Sequence, residues 1–179
     1  MDREVEVKVR LTEDSKKELE EKFSFSEEVN QKDTVFTDPK TAVSYDQSKL
    51  GAVFARVRNS GGKIIFTVKK PQTGELDCIE KETVIEDPHQ MKDAIEMMGY
   101  VEAVKIEKSR RLAKHEDYTL SLDEVVGLGS FLEVESLVEE DKDGGEVQKE
   151  IWEFLISIGL SKENEETKGY DTLIYLNSK

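Results

Sequence analysis

Cysteine is almost missing from this chain: Cys78 stands alone among 179 residues. No intramolecular disulfide can form, and a cysteine-based zinc site is excluded, which leaves Cys78 the role of a small, half-buried core residue. Histidine is nearly as scarce. His89 falls at the opening of a helical stretch and His115 near a strand end, so both read as surface residues rather than as a catalytic base. No apolar run is long enough to span a bilayer and no apolar signal region precedes the first charged strand, so a cytoplasmic protein with no membrane partner is expected. Positive charge is also in deficit. The 26 Lys and Arg residues face 40 Asp and Glu, a net charge of −14, and the molecule as a whole repels nucleic acid polymers. A polyanionic ligand must therefore be met by a local basic pocket. There is no Ser-His-Asp arrangement and no glycine-rich phosphate loop, and Gly127-Leu128-Gly129 lacks the third glycine of a dinucleotide fingerprint.

What the chain does contain is alternation. Residues 4 to 11 place Glu4, Glu6, Lys8 and Arg10 on one face of a strand and Val5, Val7, Val9 and Leu11 on the other. Similar runs occur around residues 29 to 37, 52 to 59, 63 to 70, 76 to 86, 101 to 114, 117 to 126 and 131 to 139. Asn59-Ser60-Gly61-Gly62-Lys63 predicts a hairpin, and Pro71-Gln72-Thr73-Gly74 predicts another turn. Helical spacing replaces alternation at residues 13 to 23, 88 to 98 and 144 to 158. Thr12 or Ser15 can cap the first of these, Asp87-Pro88 opens the second, and Gly99 and Gly159 stop the second and third. Glu139 to Gly145 is acidic but too short in ligands for a calcium hand, and is expected to be a solvated turn. The length suits one domain spanning residues 1 to 179.

Sorting the strands by parity collects charges on one side of each: Glu4, Glu6 and Lys8, then Arg56 and Arg58, Lys69, Glu80 and Glu82, Lys108 and Arg110, Asp123, and Glu133 and Glu135. A single charged face is ordinary surface; its repetition on strand after strand is not. Such groups cannot share an apolar core, because unpaired buried charge is strongly disfavoured. A closed or nearly closed antiparallel β-barrel with a hydrated bore resolves the conflict, with the helices packed outside in an α+β fold. Carboxylates beside basic groups suit a metal-polyphosphate, since Mg²⁺ takes oxygen ligands from one or two acids, water and phosphate.

In this order the motifs Glu4-x-Glu6-x-Lys8, Arg56-x-Arg58, Lys69, Glu80-x-Glu82, Lys108-x-Arg110, Asp123 and Glu133-x-Glu135 resemble the CYTH superfamily of triphosphate tunnel metalloenzymes, across residues 3 to 176. The segment from Leu122 to Glu135 and the tail Lys168-Gly169-Tyr170-Asp171-Thr172-Leu173-Ile174 are most similar to its class IV adenylyl cyclase branch. One departure is Ala113, where family members often carry an aromatic. The resemblance implies an eight-stranded barrel enclosing a tunnel, a cytoplasmic enzyme, often a homodimer, and a nucleoside triphosphate or other polyphosphate as substrate.

On that resemblance, Arg56, Arg58, Lys69, Lys108 and Arg110 grip phosphate oxygens, and Lys8 joins Lys69, Lys108 and Arg110 as a catalytic group. Glu4, Glu6, Asp123, Glu133 and Glu135 hold Mg²⁺ or Mn²⁺, and Glu80 and Glu82 support the tunnel wall. Conversion of ATP to cyclic AMP and pyrophosphate is the leading expectation. Hydrolysis of inorganic, thiamine or nucleoside triphosphate uses the same grip, and a non-catalytic binder of polyphosphate or nucleotide is the rival outside enzymology.

Overall fold

A computed structural model describes residues 2–179. Eight long strands form it: β1 (Asp2–Arg10), β2 (Val29–Thr37), β3 (Phe54–Ser60), β4 (Lys63–Gly74), β5 (Asp77–Val84), β6 (Val101–His115), β7 (Tyr118–Val125) and β8 (Gly129–Glu139). They pair antiparallel in the order β5-β4-β3-β2-β6-β7-β8-β1, and a further pairing of β5 with β1 closes the sheet into a barrel. The two-residue strand β9 (Glu165–Glu166) adds to β1 at Lys8 and Val9. Five helices lie outside: α1 (Glu13–Lys22), α2 (Pro39–Val43), α3 (Pro88–Met97), α4 (Gly144–Ser157) and α5 (Tyr170–Asn177). The fold is the α+β barrel the alternation predicts, and no helix among the described residues is long and apolar enough to cross a membrane.

Local chemistry sets the element ends. Thr12 caps α1 through a capping box with Ser15, and Asp87 accepts from the His89 and Gln90 backbone ahead of Pro88 in the first turn of α3. The β3–β4 hairpin turns at Gly61 and Gly62, whose φ angles of 57° and 92° are left-handed. The turn expected at Pro71 to Gly74 is not there. Those residues extend β4 through an irregular register, and the chain reverses at Glu75 and Leu76 instead. Proline is tolerated in a strand at such a break in the ladder.

Outside the barrel, Val5, Val7, Val9, Leu120, Leu132 and Val134 pack beneath Leu19 of α1 and Val147, Ile151, Trp152 and Leu155 of α4. A second cluster sets Phe36, Ala55 and Val57 against Ile95 of α3. The third belongs to one end of the barrel. There Val35, Phe54, Val104, Ile106, Val125 and Phe131 meet Tyr45 and, from α5, Tyr170 and Leu173. Period-two alternation explains this geometry: inward positions are apolar toward the α5 end and ionic beyond it.

Candidate active site in the barrel bore

A cavity of about 370 Å³ occupies the bore, and every strand from β1 to β8 contributes to its wall. Of the residues singled out in the sequence, Glu4, Glu6, Lys8, Arg56, Arg58, Lys69, Glu80, Glu82, Lys108, Arg110, Glu133 and Glu135 all line it. Asp123 does not. Its side chain is fully inaccessible and sits behind Lys108 and Arg110. At one end the segment Gly169-Tyr170-Asp171 lines the cavity together with Lys49, Glu75 and Phe54. The far side carries Gln31, Leu112 and Thr119, of which Leu112 is 45 % exposed.

The basic groups are held by pairing. Asp123 accepts from Lys108 Nζ at 2.8 Å and from Arg110 Nε and Nη2 at 2.6 and 2.5 Å, and Arg110 also reaches Glu133. Arg58 donates to both oxygens of Asp33 at 2.8 and 2.7 Å. Lys69 pairs with Glu80. Lys8 Nζ donates to the Lys168 carbonyl at 2.9 Å, lies 3.3 Å from Glu133, and stands 4.0 Å from the Tyr170 ring centre. Arg56 Nη2 donates to Thr67 Oγ1 and Glu82, both at 3.1 Å, but its Nε is buried with no partner among the described residues. A buried, unpaired guanidinium N–H is costly unless a ligand supplies an acceptor.

Burial opposes charge on every acid here, and the neighbours decide the outcome. For Asp123, Lys108 and Arg110 outweigh burial and hold the pKa low. Lys8 and Arg110 do the same, more strongly, for Glu133, as do Lys69 and Arg56 for Glu80. Glu4 and Glu6 go the other way. Burial, then Glu80, pushes Glu4 up to about 8; burial, then Glu133, pushes Glu6 up to about 7. Burial raises Glu135 as well. Burial and then Arg110 lower Lys108 to about 8.

Glu4, Glu6 and Glu135 are therefore carboxylates short of positive charge, and oxygen donors of this kind suit a hard divalent cation. Cys78, also in the wall, is pushed up to about 12 by burial and stays a thiol, so it offers no thiolate to a soft metal. Among the described residues no three His, Cys, Asp or Glu side chains converge into a ready-made metal site. Water and phosphate oxygens would have to complete the coordination, as is usual for Mg²⁺.

Several wall residues escape the parity of charged strands. Asp33 lies in Lys32-Asp33-Thr34, indistinguishable in sequence from a solvated strand. Lys49 and Asp171 lie outside the strands altogether: Lys49 Nζ donates to Asp171 at 2.7 Å and to Thr172 Oγ1 at 2.5 Å, and lies 3.4 Å from Glu75. Glu75 accepts from the Gly169 backbone at 2.9 Å and Thr172 Oγ1 at 2.6 Å.

The chain matches the CYTH domain family over residues 2–170. It is 31 % identical over 173 residues to MJ0240 of Methanocaldococcus jannaschii, which carries a provisional adenylate cyclase name, with 93 % of this chain and 95 % of that one covered. Among solved structures it is similar to the PH1819 protein of Pyrococcus horikoshii, with a TM-score of 0.80 at 26 % identity, covering 98 % of this chain and 99 % of the other. The fold extends to HpAC1 of Hippeastrum, described as having a dominant triphosphatase activity, with a TM-score of 0.64 at 17 % identity and coverage of 100 % and 97 %. A match across nearly the whole sequence, on a closed barrel whose bore gathers the acidic and basic motifs, places this chain in the CYTH domain family.

Proposed function

We propose that the chain is a metal-dependent enzyme that takes a triphosphate into its bore, and that conversion of ATP to cyclic AMP and pyrophosphate is its reaction. The observation that carries the triphosphate reading is the convergence of Arg56, Arg58, Lys69, Lys108 and Arg110 in one cavity, with Arg56 Nε buried and unpartnered among the described residues. The adenylate cyclase name of a relative at 31 % identity supports the choice of reaction.

Mg²⁺ or Mn²⁺ held by Glu4, Glu6 and Glu135, with Glu133 beside them, would draw negative charge from the phosphates and help ionise the attacking hydroxyl. The chain's own contribution is grip and orientation. Arginines and lysines already fixed by carboxylates need little reorganisation to meet phosphate oxygens, and the charge that develops on the leaving pyrophosphate falls among them. Lys108, with its pKa lowered to about 8, is suited to exchange a proton near neutral pH. The ribose 3′-oxygen forms its bond to the α-phosphorus as the bond to pyrophosphate breaks, and the hydroxyl proton passes to the protein and then to water.

A second reading, triphosphatase, is favoured by the rings. Phe54 and Tyr170, the aromatic side chains in the wall, both sit at the α5 end, whereas Gln31, Leu112 and Thr119 offer no ring to stack a base. The grip is on the polyphosphate. Incubation of the purified protein with ATP, thiamine triphosphate or inorganic triphosphate and Mg²⁺ or Mn²⁺ separates the readings. Cyclic AMP with pyrophosphate supports the first, and orthophosphate with a diphosphate supports the second. Tight binding without turnover of any of the three would make the chain a non-catalytic binder.

A further inference from the structure

A carboxylate in the wall of a polyanion cavity repels the ligand, so Asp33 needs a reason to be there. It is 4 % exposed, on β2, opposite Arg58 of β3 on one side and Ile106 of β6 on the other. Both of its oxygens are taken by Arg58, through Nε and Nη2. The bases that face it are Arg58 and Arg56 from β3 and Lys108 from β6. The fork uses two of the three guanidinium nitrogens, and Nη1 has no protein acceptor among the described residues. An arginine held in this way loses little further freedom when it binds an anion.

We propose that Asp33 is a positioning residue of the phosphate clamp, fixing the plane of the Arg58 guanidinium so that its free edge meets a phosphate oxygen. This rests on the reading that the bore takes a triphosphate. Asp33 touches no substrate; it acts through Arg58. The arrangement trades attraction for geometry, and this gives its test an unusual sign. Simple electrostatics makes removal of the Asp33 charge tighten anion binding, whereas loss of positioning makes it weaken.

The experiment is calorimetric binding of inorganic triphosphate with Mg²⁺, well below the unfolding temperature, with Tm recorded for each protein. Asp33→Asn is expected to weaken binding by about tenfold or more, the scale of one charge-assisted hydrogen bond. In an Arg58→Ala background the same substitution should weaken nothing further. Arg58→Lys keeps both charges but cannot form the fork, and it should also lose affinity, which keeps the test alive should Asp33→Asn fail to fold. Unchanged or tighter binding in Asp33→Asn, a lowered Tm with affinity intact, an equal additional loss in the Arg58→Ala background, or full affinity in Arg58→Lys would each overturn the proposal. If the unsubstituted protein binds no triphosphate, the reading of the bore itself falls, an outcome distinct from all of these.

Discussion

Lys49 and Asp171 are joined by a 2.7 Å ion pair that ties the loop before β3 to the first turn of α5. Tyr45 donates to the same Asp171 carboxylate at 2.5 Å, and the Lys49 ammonium lies 3.8 Å from the Tyr45 ring centre. Lys49→Met leaves Asp171 and Glu75 without their cation. Removing one partner of a largely buried pair costs about 3 kcal/mol, and urea unfolding should register a loss on that scale. A change under about 0.5 kcal/mol would mean the latch is ornamental to stability.

Glu6→Gln keeps the shape of a wall residue and removes one negative charge. The fold should survive, with Tm within a few degrees, because a hydrated cavity tolerates the change better than a packed core does. Metal-dependent turnover of the preferred triphosphate should fall more than about a hundredfold, the scale of a lost metal contribution to catalysis. Full turnover at unchanged metal concentration would remove Glu6 from the proposed metal set.

Protons and metal compete for the same acids. In the metal-free chain Glu4 and Glu6 have pKa values of about 8 and about 7, above the usual 4.5 of an unfolded glutamate. Between pH 4.5 and 8 the folded state thus binds more protons than the unfolded one, and stability falls as pH rises through that window. Added Mg²⁺ should reverse the trend, and its affinity should climb from pH 6 to pH 9. Asp33 and Asp171 work in the opposite direction. Burial opposes their charge, but Arg58 and Lys49 respectively hold both at about 2, so their contribution disappears as pH drops below the ordinary aspartate value toward 2. Thermal scans from pH 2 to pH 9, with and without Mg²⁺, check both limbs; a metal-free Tm that rises between pH 6 and pH 8 contradicts the first.

Gly144 starts α4 against the buried pair of Arg3 and Asp77, whose contacts are both 2.5 Å. A Cβ at this glycine would lie 2.6 Å from Arg3 Nη2 and from Asp77 Oδ2. Arg3 also donates to the Lys142 carbonyl at 2.8 Å, so it cannot withdraw freely. Gly144→Ala should cost roughly 1–3 kcal/mol as an overpacking change, read by chemical denaturation, with triphosphate binding unaffected once folded.

The strands were legible because a barrel with one wet and one greasy surface writes its period into every strand, and β1 alone shows it from Glu4 to Val9. The charged wall followed from the same parity, except that Asp123, which parity also turns inward, lies behind Lys108 and Arg110 instead of lining the cavity. Parity does not reveal partners. Asp123 is turned toward Lys108 and Arg110, which its spacing from Glu133 cannot disclose, and Asp33 meets an arginine 25 residues away in sequence. Arg3 sits on the apolar side of β1, a place alternation assigns to a hydrophobe, because Asp77 of β5 neutralises it there. The short α2 had a visible signal: Asp38-Pro39 repeats the cap chemistry of Asp87-Pro88. The Pro71 to Gly74 segment misleads because turn residues also occur at irregularities within a strand. His115, expected at the surface, is half-buried and stacked on Phe154, a contact between β6 and α4 that no local pattern marks.

Tyr170 ties the last helix to two basic groups of the bore at once: the Lys8 and Lys108 ammonium groups lie 4.0 and 4.7 Å from its ring centre. Any displacement of α5 therefore changes the surroundings of both lysines together.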